Sequence, residues 1–294
     1  MAFGKGHHLS LIDGSAFIFR AFHALPPLTR KSDGLPVGAV SGFVNMLWKT
    51  VEDNKGPDAP THVAVVFDKG SHTFRNDMYD QYKANRDETP EGIRVAFPFI
   101  KQLLEAFRIP LLGVDGFEAD DVMCTLAQQA EKEGFEVFLM TPDKDFAQVI
   151  TENIRMYRPG RSGNPPEIWG VAEVQAKFGV ERVEQVIDYL GMMGDSVDNI
   201  PGIPGVGPKT ASKLIMQYGS MEAMYENADE ITGKLGEKIR DNKEQAFMSK
   251  YLAAIQCEVP IDFDATVFLK EDPDEKLIND LFSELEFRTL LRRV

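Results

Sequence analysis

The first 170 residues alternate short apolar runs with longer segments whose apolar residues recur at helical spacing. The apolar runs predict strands over 9–12, 62–67 and 135–140. The helical patterns lie between and around them, at roughly 38–53, 94–107 and 119–132. This alternation predicts an α/β fold with a mostly parallel, doubly wound sheet.

Beyond about residue 170 no further strand pattern occurs. The remaining apolar residues predict helices near 171–178, 182–192, 208–217, 220–226, 233–253 and 275–292. We therefore expect two domains, an α/β core over 1–170 and a helical subdomain over 171–294.

Carboxylates follow the predicted strands or begin a predicted helix. Asp13, Asp68, Asp143 and Asp145 come after strands, and Glu118, Asp120 and Asp121 open the helix at 119. Asp195 and Asp198 lie one helical turn apart in a glycine-containing segment. The carboxyl ends of parallel strands share one edge, where ligands bind. So many acids on one edge would repel each other unless cations such as Mg²⁺ neutralised them, which indicates metal-dependent chemistry on phosphate esters.

Each acidic motif also has a simpler interpretation when taken alone. Asp13 followed by Gly14 is often only a turn, and a phosphatase of the haloacid dehalogenase type needs an aspartate where Ser15 stands. The acids at 118–121 could only cap a helix, and those at 141–145 could only form a solvated turn. Because several acidic motifs occur together, we favour a shared metal site over a coincidence of unrelated caps and turns.

The segment 202–210 predicts a second functional feature. It superficially resembles a phosphate-binding P-loop, but Pro208 separates Gly207 from Lys209, and the segment follows a helix rather than a strand. Helices on both sides predict a helix-hairpin-helix unit at about 190–217. Gly205 and Gly207 would let the backbone approach a phosphate, and Lys209 and Thr210 would add contacts. A plain glycine-proline connection is the alternative.

The segment 69–94 interrupts the alternation and is long for a connection in a compact domain. We predict a mobile element there. Lys83 and Arg86 would share a face if the segment became helical, and Tyr82 could stack on a base. Arg20 and Phe22 follow the first acidic turn and are equally ambiguous.

The formal charge of -14 does not exclude a nucleic-acid partner, because local basic surface matters more than net charge. The N-terminus lacks the pattern of a signal peptide, and no apolar run approaches the roughly 20 residues of a membrane span. The two cysteines, Cys124 and Cys257, are expected to be thiols. We expect a cytoplasmic, nucleoid-associated protein without a membrane partner.

These motifs together resemble the 5′ nuclease family, which includes the N-terminal 5′→3′ exonuclease domain of bacterial DNA polymerase I and the flap endonucleases. The similarity rests on motifs that occur in the family's order: Leu-Ile-Asp-Gly (11–14), Val-Val-Phe-Asp (65–68), Thr-Phe-Arg (73–75), Tyr-Lys-Ala-Asn-Arg (82–86), Gly-Phe-Glu-Ala-Asp-Asp (116–121), Thr-Pro-Asp-Lys-Asp (141–145), Gly-Asp-Ser-Val-Asp-Asn-Ile-Pro-Gly (194–202) and Gly-Val-Gly-Pro-Lys-Thr-Ala (205–211).

The resemblance implies a PIN-like nuclease core with a helical arch, and cleavage of DNA near a single-strand/double-strand junction. It implies two Mg²⁺ or Mn²⁺ ions held by Asp13, Asp68, Glu118, Asp120, Asp143, Asp145, Asp195 and Asp198. Asp121 matches an acid of the bacterial and phage members and joins this set. It also implies a K⁺ ion at the hairpin, and a catalytic function for Lys83, Arg86 and Asp120. The expected DNA-binding residues are Arg20, Phe22, Arg75, Tyr82, Lys83, Arg86, Gly205, Gly207, Lys209 and Thr210.

The expected partner is DNA with a 5′ flap, a nick or a junction, including an RNA primer paired to DNA. The chain would act as a monomer or as part of a larger polymerase chain. Two alternatives stay open: a metal-dependent ribonuclease or phosphatase on a similar core, and a DNA-binding module without catalysis.

Overall fold

The computed structural model describes residues 6–161 and 163–294. The strands are β1 (His8–Asp13), β2 (His62–Val66), β3 (Leu111–Leu112), β4 (Glu136–Met140), β5 (Ile154–Arg158) and β6 (Glu167–Trp169). The α-helices are α1 (Gly14–Ala24), α2 (Gly38–Val51), α3 (Phe74–Met78), α4 (Glu91–Ala106), α5 (Ala119–Lys132), α6 (Val171–Phe178), α7 (Val186–Met193), α8 (Pro208–Tyr218), α9 (Met221–Glu226), α10 (Gly233–Asp241), α11 (Lys243–Ala253), α12 (Ala265–Phe268), α13 (Glu275–Glu284) and α14 (Arg288–Leu291). Short 3₁₀ turns lie at Lys144–Val149, Val183–Gln185 and Ala228–Glu230.

The chain divides into two compact units, and neither is continuous in sequence. The first unit comprises Met1–Lys69, Glu88–Pro142 and Glu258–Val294, and the second comprises Gly70–Asp87 and Asp143–Cys257. This division differs from the single boundary predicted near residue 170. Contacts between residues distant in sequence decide the grouping, and a local sequence pattern does not contain them.

The first unit contains a parallel sheet with the strand order β3-β2-β1-β4. Every residue of β1 and β2 is buried. Burial along the whole strand is typical of parallel sheets and explains the continuous apolar runs. The chain adds β2 and β3 on one side of β1 and β4 on the other. The order of the strands therefore reverses between β1 and β4, which is where open α/β sheets bind their ligands.

The last segment of the chain completes the first unit. Val259 donates its N–H to the Thr125 hydroxyl at 3.1 Å, and Phe263 donates to the Gln129 side chain at 2.6 Å. Lys270 donates its N–H to the Thr61 carbonyl at 2.9 Å, just before β2. Residues 258–294 therefore supply hydrogen bonds to α5 and to the start of β2.

The second unit is mainly helical, as predicted, but it also contains the antiparallel hairpin of β5 and β6. These strands were not predicted from the sequence. The predicted helix at 233–253 is two helices, α10 and α11, which are separated at Asn242. Helices α7 and α11 pack against each other, and Gly191 lies against the backbone of Lys250.

The state of the two cysteines differs from the expectation. Cys124 and Cys257 are both disulfide-bonded, so the expectation of thiols was wrong. A low cysteine count says little here, because bond formation depends on the local geometry of the folded chain.

Among the described residues, no helix has the length and apolar character needed to cross a bilayer.

Candidate active site and nucleic-acid interface

Asp13 and Asp68 lie at the carboxyl ends of β1 and β2, as predicted. Asp13 accepts the Ala16 N–H at 3.0 Å and the Thr141 hydroxyl at 2.9 Å, so it caps α1 and contacts the residue after β4. Asp68 accepts the Ala119 N–H at 2.8 Å through one oxygen and the Ser15 hydroxyl at 3.1 Å through the other. These bonds fix both carboxylates at the carboxyl edge of the sheet, and Asp13 lies beside the point where the strand order reverses.

Gly14 is required by the packing beside Asp13. A Cβ at this position would lie 2.5 Å from the Phe67 ring, the residue just before Asp68. That distance is far below an ordinary carbon–carbon contact, so only glycine lets the ends of β1 and β2 approach in this way. The Asp-Gly pair, ambiguous in the sequence, is thus explained by close packing.

Glu118, Asp120 and Asp121 form the first acidic cluster, at the start of α5. Each of the three side chains offers one carboxylate oxygen, and these three oxygens lie within 4.8 Å of one another. Glu118 and Asp121 are buried, and Asp121 accepts the Glu118 N–H at 3.0 Å. The positive end of the α5 dipole offsets part of the repulsion among these acids.

Asp145, Asp195 and Asp198 form the second acidic cluster, within the second unit. They also offer oxygens within 4.8 Å of one another. A closed turn holds two of them, because Asp195 and Ile200 exchange backbone hydrogen bonds at 2.9 and 2.7 Å. Gly194 and Gly202 approach so closely that a Cβ on either would lie 2.5 Å from backbone atoms of the opposite strand.

Two cations belong to the second acidic cluster. Lys144 donates to Asp145 at 3.0 Å and to Asp195 at 3.3 Å, and Arg86 forms an ion pair with Asp198. Burial lowers the pKa of Lys144, but the charges of Asp145 and Asp195 outweigh it and the net shift is upward. Sequence reasoning did not assign Lys144 a role, although its place between two acids was a signal.

Asp143 lies beside this cluster and accepts the Asp145 N–H at 2.9 Å. Its side chain keeps contact with solvent, but protein atoms crowd around it. Burial of this kind, and then the charge of Asp145, raise the pKa of Asp143 to about 7. Burial also raises the pKa of Asp145. Carboxyl groups with raised pKa values favour a further cation, because a bound cation stabilises their charged forms.

Both acidic clusters fit divalent cations of the Mg²⁺ type. Each consists only of carboxylates, and hard cations prefer oxygen ligands. The charge pattern of the second cluster gives independent support, because ammonium and guanidinium groups already lie against its carboxylates.

Residues 79–87 pack on the turn that carries Asp195 and Asp198. Lys83 donates its N–H to the Asp198 carbonyl at 2.9 Å, and Asn85 donates to the Ser196 carbonyl at 2.9 Å. Asn199 in turn donates to the Gln81 carbonyl at 2.7 Å. The segment is formed by turns after α3, and Lys83 has a φ of +56°, so Lys83 and Arg86 do not share a helix face. The predicted mobility of the segment stays a prediction.

Two of the predicted DNA-binding residues, Arg75 and Tyr82, are buried in this structure. Arg75 is 1% exposed and donates to the carbonyls of Leu252 at 2.9 Å and Ala254 at 2.7 Å. Tyr82 is 5% exposed, so its ring is not available for stacking on a base in this conformation. The motif Thr-Phe-Arg thus has a structural explanation in the partners of Arg75.

Arg20 and Phe22 lie on α1, where both are half-buried. The Phe22 ring packs edge-on against His23 and also against the start of α4, where a Cβ at Gly92 would meet it at 2.8 Å. The structure thus gives Phe22 a packing role, and the prediction that these two residues contact DNA stays a prediction.

The predicted hairpin lies between α7 and α8, and a glycine is required at its tip. Gly205 has a φ of +80°, which disfavours other residues. Gly207 precedes α8 and has open space around the position of a Cβ. Lys209 is exposed and Thr210 half-buried in the first turn of α8. The structure therefore brings Gly205, Gly207, Lys209 and Thr210 together, and their contact with DNA stays a prediction.

Two family models match this chain, and together they cover most of its length. The family model of the 5′-3′ exonuclease N-terminal resolvase-like domain matches residues 8–179, and that of the 5′-3′ exonuclease C-terminal SAM fold matches residues 181–276. The chain belongs to the 5′-3′ exonuclease family.

Named relatives agree with this assignment. The chain is 47% identical to DNA polymerase I of Rhizobium leguminosarum over 99% of its own length and 28% of that protein. It is 36% identical to the 5′-3′ exonuclease of Aquifex aeolicus over 97% of its own length and 94% of that protein. The chain thus spans about a third or less of the polymerase relatives and nearly all of the exonuclease.

A solved structure shares the fold. The bacteriophage T5 flap endonuclease, in a pseudo-enzyme-product complex with DNA and metal ions, aligns with a TM-score of 0.68 and 21% identity. The alignment covers 95% of this chain and all of the phage protein.

Proposed function

We propose that the chain hydrolyses DNA phosphodiesters as a structure-specific 5′→3′ exonuclease and 5′-flap endonuclease. The observation that carries the proposal is the pair of acidic clusters, each with three oxygens within 4.8 Å, in a member of a 5′-3′ exonuclease family. Primer removal and DNA repair are the processes that such an activity serves.

Two divalent ions, Mg²⁺ or Mn²⁺, are the proposed cofactors. Glu118, Asp120 and Asp121, together with Asp13 and Asp68, supply carboxylates in the first unit; Asp143, Asp145, Asp195 and Asp198 supply them in the second. Such ions provide an activated hydroxide and stabilise the leaving oxygen when bound. Asp120 is the member of the first cluster that keeps the most solvent contact, so it is best placed to meet a ligand that arrives from water.

The protein's own cations hold the substrate in this proposal. Arg86 is half-exposed, with 49% of its side chain in contact with solvent, although it pairs with Asp198. Lys83 lies in the same turn as Arg86, whose N–H bonds to the Lys83 carbonyl. Both can bind the scissile phosphate once the carboxylates have a metal partner, because a guanidinium prefers a free phosphate to a neutralised acid. The hairpin with Gly205, Gly207, Lys209 and Thr210 contacts duplex backbone without reading sequence, with a K⁺ ion at the hairpin.

The deciding experiment is cleavage of a 5′-flap DNA with Mg²⁺, with EDTA, and with the variant Asp120→Asn. We expect cutting near the junction that needs the metal and falls by at least about a hundredfold in the variant. Tight binding without cutting under any divalent ion would instead indicate a DNA-binding module. Preference for single-stranded RNA or a small phosphate ester would indicate the other alternative.

The matched control is Asp115→Asn. Asp115 precedes the first acidic cluster by three residues, and its exposed carboxylate pairs with Lys69. This variant should cut flap DNA at the wild-type rate, because Asp115 is not a member of either cluster.

A further inference from the structure

The carboxylates of the second acidic cluster come from two segments that lie far apart in the sequence. Asp145 belongs to the 3₁₀ turn at 144–149, whereas Asp195 and Asp198 lie in the turn between α7 and α8. Repulsion among the carboxylates opposes their approach before a cation binds. Lys144 bridges the carboxylates, but a bond between side chains does not fix the backbone that carries them. The two segments therefore need a common support.

Helix α11 holds the turn of Asp195 at its base. The Ser249 hydroxyl accepts the Gly202 N–H at 2.9 Å, and Gln245 donates its side-chain N–H to the Gly202 carbonyl at 2.9 Å. Ser249 is fully buried, and the two side chains lie four residues apart on one face of α11. Gly202 packs directly against Gly194, the neighbour of Asp195. The position of α11 is thus passed to Asp195 through the contact between the two glycines.

The other end of α11 holds Asp145 through the buried side chain of Gln148. The Gln148 amide nitrogen donates to the Asp145 carbonyl and to the carbonyl of Ala253, the last residue of α11, both at 3.0 Å. Its amide oxygen accepts the Ile255 N–H at 2.9 Å. Because Asp143 accepts the Asp145 N–H, both polar backbone atoms of Asp145 are held.

These bonds do more than satisfy buried polar groups, although any folded chain must do that. Both sets converge on one helix, and each leads directly to a segment that carries an acid of the cluster. Amide and hydroxyl groups are also neutral, so they fix the segments without competing with a cation for the carboxylates. Groups that orient metal ligands without touching the metal typically change metal affinity by about 10–100-fold when they are lost.

We propose that α11 is the frame of the second metal site, and that Gln148, Gln245 and Ser249 are positioning residues that set the spacing of Asp145 and Asp195. They act through the backbone and touch neither the ion nor the substrate. This inference rests on the proposed function, because it assumes that the second acidic cluster holds a divalent ion.

The test measures Mn²⁺ binding to the metal-free full chain by calorimetry, for Gln148→Met and for Ser249→Ala. The ion of the second cluster is identified as the one that Asp195→Asn loses. Thermal melting shows that each variant is folded, and each titration is made well below the melting temperature. Ser249→Ala removes a single oxygen, so it decides the question if Gln148→Met does not fold.

The matched controls are Gln185→Met and Ser220→Ala, in the same unit. Gln185 is also a buried glutamine, and its side chain bonds three backbone groups, those of Glu181, Arg182 and Gly219. Ser220 accepts the Ala223 N–H and caps α9. The partners of both controls lie outside the two acidic clusters. These variants therefore lose comparable hydrogen bonds without a link to the acids.

We expect Gln148→Met and Ser249→Ala each to weaken binding of the second-cluster ion by about tenfold and to leave the other ion unchanged. The controls should lower the melting temperature to a similar degree but keep the Mn²⁺ affinity of the wild type. A general loss of stability would not separate the variants in this way.

A double-mutant cycle tests whether the effect belongs to the second cluster. In the background of Asp195→Asn, Gln148→Met should cause no further loss of Mn²⁺ affinity, because the site that it positions is already gone. An equal loss of affinity for the remaining ion in both backgrounds would overturn the inference.

The outcomes separate this inference from the proposed function. Wild-type Mn²⁺ affinity in both Gln148→Met and Ser249→Ala would overturn the frame and leave the nuclease proposal standing. Absence of an ion at the second cluster of the wild type would overturn the frame together with the two-ion proposal. If the expected Mn²⁺ losses occur but the wild type does not cut flap DNA, the proposed function is wrong and the frame stands.

Discussion

Lys144 donates a hydrogen bond to a carboxylate oxygen of Asp195 at a distance of 3.3 Å. The same ammonium also bonds Asp145, so one lysine partly neutralises two members of the second acidic cluster. An ammonium in this position competes with any divalent cation for the same oxygens, because both are held by the same negative charge.

We therefore predict that Lys144→Gln binds Mg²⁺ or Mn²⁺ about tenfold more tightly than the wild type, since an opposing charge is removed. Without metal the variant should be less stable, because the carboxylates lose their counter-ion. Calorimetric titration with Mn²⁺ measures the affinity, and Lys132→Gln, on α5, is the control. Weaker metal binding by the variant would show that Lys144 organises the acids instead of competing for them.

Replacement of Arg75 by Met should destabilise the protein without a specific loss of DNA affinity. The change leaves the buried carbonyls of Leu252 and Ala254 without their donors, at a cost of about 3 kcal/mol. Urea unfolding gives the free energy, and DNA affinity is measured on the folded fraction. Arg155→Met, at an exposed position on β5, is the matched control. A stable variant that binds DNA poorly would restore the original prediction for Arg75.

Stability of the metal-free protein should depend on pH through Asp143. Its pKa is about 7 in the folded state, against an ordinary value of 3.8, so the folded state holds a proton that the unfolded chain has released. Because the folded state binds more protons in this window, the free energy of unfolding falls as pH rises from about 4 to about 7. Urea unfolding across this range should show the fall in the wild type and a flatter profile for Asp143→Asn.

Divalent metal should cancel this loss near neutral pH, because it binds the deprotonated carboxylates. Parallel profiles for the wild type and Asp143→Asn, with and without Mg²⁺, would show that Asp143 ionises without effect on the fold.

Gly207→Ala tests the closeness of the hairpin to DNA. The added Cβ meets nothing within 4 Å and the backbone φ is not in the left-handed region, so the melting temperature should stay unchanged. Duplex affinity should nevertheless fall by about tenfold, because the methyl group would separate the backbone N–H groups from the phosphate. Gly70→Ala has equally open surroundings and is the control. Unchanged binding by Gly207→Ala would mean that the phosphate is held elsewhere.

The sequence predicted the strand ends well, because burial along β1 and β2 leaves continuous apolar runs that end at Asp13 and Asp68. It did not predict the surroundings of Arg75 or Tyr82. Their burial depends on segments far along the chain, such as the carbonyls after residue 250, and no local periodicity reports such contacts. The short strands β5 and β6 escaped for a related reason, because their antiparallel pairing is a contact between two segments and not a property of either one.

The sequence also did not predict how the acids divide between the two clusters. The spacing of Asp195 and Asp198 indicated a common face, but only the turn closed by Asp195 and Ile200 sets that face. Lys144 illustrates the limit most clearly. Its place between two aspartates was a signal, but only the distances to Asp145 and Asp195 show that it pairs with both.

The return of residues 258–294 to the first unit affects how the protein is made. A ribosome completes β1, β2 and α5 early, but the partners of Thr61, Thr125 and Gln129 emerge only after the whole second unit. The domain that starts first during synthesis therefore finishes last, contrary to the usual order of folding from the N-terminus. Nascent chains stalled before residue 258 should expose these groups to proteases and chaperones, whereas the helical unit should already resist digestion.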